Sequence, residues 1–241
     1  MPHYCQKAIV LSAIPYSESS LICKLYTEEF GLKSYIVRSA KKKGSKTPTQ
    51  HFQSLNIIEF EAYNNSQSKL EGIKSSSLIS ENISISFSII KNSLTFFIAE
   101  IINLSLKEHN PNKELFDFLY AQIIKLKNSN DVDLAEFHLN FMLLFADLLG
   151  LSPMNNYSNE NPFFNPIAGK FTNNKDIQSF NIEQSLMLHR LMQNYKANSS
   201  CRICNNKIQR NILLDGLIVF YTIHITNNQT IKSHKILSTI L

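Results

Sequence analysis

The chain has 241 residues, 44% hydrophobic and 18% charged, which is enough apolar material for a packed core and too little charge for a disordered polyelectrolyte. No apolar run reaches the roughly eighteen residues of a membrane span, and the opening MPHYCQKAIVLSAIPYSE has no charged leader before a long apolar core, so neither a spanning helix nor a secretory signal is expected. Cys5, Cys23, Cys201 and Cys204 are too few and too scattered for a disulfide scaffold, which makes the cytoplasm the expected location.

In chain order, residues 8–14 form an apolar run ended by Pro15, and residues 20–27 (SLICKLYT) alternate as a half-buried strand does. Glu29-Phe30-Gly31 reads as a turn into a third strand, residues 32–38. The polar stretch 39–51, with Gly44 and Pro48, predicts a mobile loop. Residues 52–63 and 69–76 complete five short strands, which fit a small barrel or a sandwich. From about residue 83 the apolar period lengthens. Phe87, Ile90, Leu94, Phe97, Ile98 and Ile101 predict a helix, broken at Asn110-Pro111-Asn112. A second helix runs through Leu115, Phe118, Leu119, Ile123 and Leu126. Asp131 or Asp133 would cap a third, through Phe137, Phe141 and Phe145 to Gly150. Residues 150–181, rich in Asn, Pro and Ser, read as irregular. Helices are expected again at about 182–195, 205–224 and 231–240. No internal repeat is visible, and the fold class is α+β, strands first and helices after.

The net charge is +5, unevenly spread. Residues 1–80 carry ten Lys/Arg against six Asp/Glu, residues 81–160 five against ten, and residues 161–241 nine against three. Two basic ends around an acidic middle suit a polyanion, although drift toward lysine in a chain rich in Asn, Lys and Ile produces the same balance. The densest signal is Arg38, Lys41, Lys42, Lys43 and Lys46, in the loop after the third strand. Lysines there could neutralise phosphates without reading sequence, and a solvated lysine run is the competing reading. Lys24 and Lys33, on the second and third strands, join the same candidate DNA-binding set. Arg202, Lys207 and Arg210 form a second basic group at helical spacing, for which a solvated helix face is the commoner explanation. Tyr16, Tyr26, Tyr35, Phe52, Phe60 and Tyr63 could stack bases. Most aromatics of a small barrel are core, and Tyr35 and Tyr63 are the candidates for exposure.

Chemistry at the level of bonds finds little support. Cys201-Arg202-Ile203-Cys204 has the spacing of half a zinc knuckle, but no second pair exists and His224 is too distant, so it reads as a non-ligand pair near a helix start. No phosphate loop and no helical His pair occurs, and the catalytic assignment is none.

Several segments, none specific alone, fall in a telling order. Ala8-Ile9-Val10-Leu11, Pro15-Tyr16-Ser17-Glu18, Tyr26-Thr27 and Phe30-Gly31, then a strand ending in a basic cluster, resemble the opening of the RecO family. Lys113-Glu114-Leu115-Phe116-Asp117-Phe118-Leu119 is similar to that family's helical-domain pattern. Residues 137–150 followed by Ser152-Pro153 resemble its F…LL…LG-x-x-P signature, and Ile231-Lys232-Ser233-His234-Lys235-Ile236-Leu237 its C-terminal tail. The resemblance implies an N-terminal five-stranded OB-fold barrel over residues 1–80 that binds DNA, and an all-α helical domain over residues 81–241. It implies a non-enzymatic DNA repair and recombination mediator of the RecF pathway, which binds and anneals single-stranded DNA and helps load recombinase onto strands covered by single-strand-binding protein. The partners it implies are single-stranded DNA, duplex DNA, RecR, the C-terminal tail of the single-strand-binding protein and, indirectly, RecA, at the bacterial nucleoid. Many members carry a four-cysteine zinc site after the LG-x-x-P signature. Residues 150–200 here contain no cysteine, so residues 150–181 are expected to replace that site and no zinc or other cofactor is expected. The alternative is a protein-interaction adaptor in DNA repair with little DNA affinity of its own.

Overall fold

The computed structural model describes residues 3–42, 44–63, 70–79, 88–107, 110–196 and 201–241, which form two compact units, Met1–Asn128 and Ser129–Leu241.

The first unit is built on five strands, β1 (His3–Pro15), β2 (Leu21–Thr27), β3 (Gly31–Val37), β4 (Ile57–Tyr63) and β5 (Glu71–Leu78). They close into a barrel in the order β1-β2-β3-β5-β4. All pairings are antiparallel except β3 with β5, where Tyr35 faces Glu71 and Val37 faces Ile73. This is the OB-fold order. Alternate residues enter the barrel, whose core includes Ala8, Val10, Cys23, Leu25, Tyr35, Phe52 and Phe60. The unbroken apolar run of β1 has a direct cause: Ile9 and Leu11, on the other face of the strand, are buried as well.

Two helices of the same unit supply cover for the barrel's outside. The helix α1 (Ile89–Ser105) packs on β1, where Asn103 Nδ2 donates to the Leu11 carbonyl at 3.3 Å. Ser88 caps it by accepting the Lys91 N–H. The helix α2 (Lys113–Asn128) places Phe116 in a stack with Tyr26 of β2, ring centroids 6.3 Å apart, and Tyr26 Oη donates to the Asn112 carbonyl. Lys91 Nζ ties α1 to α2 at the Lys127 carbonyl, 2.7 Å away. The first unit therefore runs to Asn128, beyond the barrel.

The second unit contains α3 (Phe137–Leu148), α4 (Ile182–Lys196), α5 (Lys207–His224) and α6 (His234–Ile240). Asp131 and Asp133 do not cap α3. They lie in a 3-10 turn (Asp131–Leu134), and the residue before α3 is Glu136. Its buried carboxylate accepts the main-chain N–H groups of Ile203 (2.9 Å) and Cys204, so it serves the segment entering α5 instead of its own helix.

Residues 150–181 are not wholly irregular. They contain a hairpin, β6 (Phe163–Asn165) and β7 (Lys170–Thr172), whose three-residue strands are too short for a periodic signal. Asparagine side chains hold it. Asn156 both accepts the Phe171 N–H and donates to the Phe171 carbonyl, each at 2.9 Å. Asn165 Oδ1 accepts the N–H groups of Ile167 and Ala168, and its amide donates to Asp176. Phe164 and Phe171, 5.1 Å apart, are buried beneath. Gly169 turns the hairpin at φ +66°, and a Cβ there would stand 3.1 Å from Phe220 of α5.

Candidate nucleic-acid interface

The segment leaving β3 is shaped by its own backbone. Ser39 takes a left-handed conformation (φ 58°), and the Lys42 N–H returns to the Ser39 carbonyl at 3.0 Å. Gly44 is left-handed too, and the Ser45 N–H closes on the Lys42 carbonyl. Thr49 donates both its N–H and its hydroxyl to the Ala40 carbonyl, each at 3.2 Å, while Thr47 Oγ1 reaches the Arg38 carbonyl. Farther along, the Lys46 carbonyl accepts the Ser76 N–H at 3.0 Å, which joins the segment to the neighbouring strand β5. The buried Ala40 and Thr47 point inward. The loop expected here is present, and its first part is a braced double turn.

Arg38, Lys41, Lys42 and Lys46 are all exposed on this turn, and no ion pair occupies any of them among the described residues. Lys43 lies outside the described residues. A cluster of cations with no ion pair among the described residues presents a positive surface, on a backbone held by its own hydrogen bonds.

The other candidates on the barrel have internal partners. Lys24 is half-buried on β2, its Nζ 3.5 Å from the Asn103 carbonyl of α1, and burial lowers its pKa. Lys33 is held by Glu71 at 2.8 Å and lies over the rings of Tyr4, Phe30 and Tyr35. Tyr35 is not an exposed stacking residue. It is 0% exposed, packs edge-on against Phe60 and meets Tyr4 hydroxyl to hydroxyl at 3.1 Å. Tyr4 in turn donates to Glu71. Tyr63 is exposed as expected, at 38%, and so is Tyr16, in the turn between β1 and β2.

A family model described as recombination protein O N terminal matches residues 1–82, and one described as recombination protein O C terminal matches residues 86–160. The DNA repair protein RecO of Flavobacterium psychrophilum is 35% identical over 233 residues, covering 96% of each chain. The chain belongs to the RecO family. Further relatives are the DNA repair proteins RecO of Flavobacterium johnsoniae, 31% identical over 97% of each chain, and of Christiangramia forsetii, 29% identical over 97% of each.

In this RecO-family chain the second basic group is engaged with main-chain carbonyls. Arg202 precedes α5 and donates to the Val132 carbonyl at 2.5 Å. Lys207 Nζ donates to Thr239 O at 2.6 Å, and Arg210 to Leu241 O. The three join α5 and its entry to the 3-10 turn and to the segment at α6 through these bonds. Cys204 is buried beside Glu136, and burial first, then that carboxylate, pushes its thiol up to about 12; Cys201 is exposed. Residues 150–181 contain no cysteine or histidine, Asn156 and Asn165 there are engaged with backbone, and among the described residues no three His, Cys, Asp or Glu side chains come together as a metal site would need. Among the described residues no helix is long and apolar enough to cross a membrane.

Proposed function

We propose that this RecO-family chain binds single-stranded DNA through the turn at residues 38–46, anneals complementary strands, and helps load recombinase onto strands covered by single-strand-binding protein. The observation that carries the reading is the set of exposed cations Arg38, Lys41, Lys42 and Lys46, none in an ion pair among the described residues, on a braced turn of an OB-fold barrel. Relatives aligned along almost the whole chain carry the name DNA repair protein. Lysine binding to phosphate releases condensed counterions and is indifferent to base sequence, as a strand-handling protein requires. Annealing needs no bond chemistry: a cationic surface reduces the repulsion between two phosphate backbones so that bases can meet. The partners in this scheme are single-stranded and duplex DNA, RecR, the tail of the single-strand-binding protein and, through them, RecA.

The test is affinity for a homopolymeric single strand measured across salt concentration. The reading expects log affinity to fall linearly with log salt, by about 0.7 per phosphate neutralised. The adaptor alternative draws support from Lys24, Lys33, Arg202, Lys207 and Arg210, all turned on to internal partners. Absence of binding even at low salt, with the protein folded, would decide for the adaptor.

A further inference from the structure

A cleft of about 470 Å³ lies between the barrel and α1. Its lining is Ala13 of β1, Phe52, Gln53 and Ser54 after the β3–β4 connection, and Asn92, Thr95 and Phe96 of α1. Phe52 is buried and belongs to the barrel core, so the floor is rigid. Phe96 is its opposite: 64% exposed, on the helix face that does not enter the core. The side-chain amides of Gln53 and Asn92 and the Ser54 hydroxyl have no hydrogen-bond partner among the described residues, whereas the Thr95 hydroxyl is returned to the Lys91 carbonyl of its own helix. An open cleft with one exposed ring and several uncommitted amide and hydroxyl groups has the lining that a flat, polar-edged aromatic ligand requires.

The backbone that presents Gln53 and Ser54 is strained and over-determined. Leu55 is a buried, non-glycine residue at φ 58°. A left-handed leucine is costly and persists only where its surroundings hold it. Here they do: the Leu55 N–H donates to the Val10 carbonyl at 2.7 Å, the Val10 N–H donates to the Asn56 carbonyl, and Asn56 Nδ2 donates to the Gln50 and His51 carbonyls. These bonds fall where the register of β1 shifts, between Val10 and Ser12. The cationic turn is continuous with the same element. Lys46 and Gln53 lie on either side of a short 3-10 turn (Thr49–Phe52), and Ala40 and Phe52 share the barrel core.

The geometry points to a subsite for one unpaired nucleobase: the base enters this cleft, stacks on Phe96 and meets Gln53, Ser54 and Asn92 along its edge, while the adjoining phosphates are held by Lys41, Lys42 and Lys46. This rests on the proposed single-strand binding and adds what that reading lacks, a contact that distinguishes a base-bearing strand from a bare polyanion. A base in an intact duplex is stacked and paired, so the cleft favours single strands.

The experiment compares a thymine homopolymer with an abasic strand of the same length, which keeps the phosphates and lacks the bases, for the wild-type protein, Phe96→Ala and Phe96→Tyr. The wild type should prefer the base-bearing strand. Phe96→Ala should lose about 5- to 150-fold in affinity for it, the range of one base–aromatic stack, with little change toward the abasic strand and an unchanged salt slope. Phe96→Tyr keeps a ring and should retain the preference. Because Phe96 is mostly exposed, all three proteins should melt alike. Equal wild-type affinity for both strands would overturn the subsite, return the cleft to a protein ligand, and leave single-strand binding standing. Equal losses on both strands in Phe96→Ala would overturn it as well. No binding to either strand by the wild type would instead remove the single-strand reading on which the subsite depends.

Discussion

Replacing Lys41, Lys42 and Lys46 together by Ala isolates the electrostatic role of the β3–β4 turn. The structure makes the substitution clean. The backbone bonds that brace the turn come from main-chain groups and from Ser45, Thr47 and Thr49, including Lys46 O to Ser76 N, and an alanine preserves all of them. None of the three ammonium groups has an acidic partner among the described residues, so no carboxylate is orphaned. Exposed changes of this kind usually alter stability by no more than about 0.5 kcal/mol each. Each phosphate that the variant leaves without its lysine should reduce the salt slope by about 0.7. Over a fourfold rise in salt, from roughly 50 to 200 mM, that is about 2.6-fold per phosphate and about 18-fold for three. The wild type should therefore weaken about 18-fold more than the variant across that interval. Fluorescence anisotropy with a labelled single strand reads the slope, and thermal melting controls for folding. Lys33→Ala provides the contrast: it breaks the 2.8 Å pair with Glu71 and the ring contacts, and should cost about 1 kcal/mol of stability while leaving the slope unchanged. Identical slopes and identical melting for wild type and triple variant would refute the electrostatic role, because the turn would then be a solvated surface.

Three further outcomes concern the second unit. A Cβ added at Gly216 would stand 2.1 Å from Phe180 Cζ, so Gly216→Ala should destabilise by about 1–3 kcal/mol of overpacking, offset by about 1 kcal/mol of helix propensity; urea midpoints of the single variant and of Gly216→Ala with Phe180→Ala decide, and a more stable single variant would contradict the packing. Asn156→Ala should cost about 2 kcal/mol, because it removes both partners of the Phe171 main chain; hydrogen exchange at Phe171 should accelerate, and unaltered protection would show that the clamp is dispensable. His138 is buried, and burial first, then Arg210, brings its pKa down to about 3. The unfolded chain, with a His pKa of about 6.5, then binds more protons than the native state between those values, so stability should fall as pH drops from about 6.5 toward 3. His138→Leu should flatten that dependence in urea titrations at pH 7 and 5, and an equal fall in both proteins would assign the acid sensitivity to other groups.

Patterns with a short reach in sequence determined much of this molecule. The apolar run of β1, the alternation of β2 and the Glu29-Phe30-Gly31 turn lie within single elements, as do the three- and four-residue spacings of α1 to α5, because side-chain periodicity is a local property of strand and helix. The order of these segments was also enough to suggest the RecO family, and the basic residues after β3 were visible as composition. Tertiary structure alone decided which of those charges are available. Lys33 and Lys42 look alike in sequence, yet one faces Glu71 across the barrel closure and the other faces solvent, since β5 comes to lie beside β3 only when the barrel closes. Tyr35 and Tyr63 likewise differ only in which side of the barrel wall they occupy. The β6–β7 hairpin was hidden because its strands span three residues each and it is held by asparagine side chains whose partners lie 11 to 15 residues away along the chain. The cleft at Phe96 joins β1, the β3–β4 connection and α1, segments up to some eighty residues apart, and packing at that range leaves no period in the sequence because it is not set by the local rise of the chain.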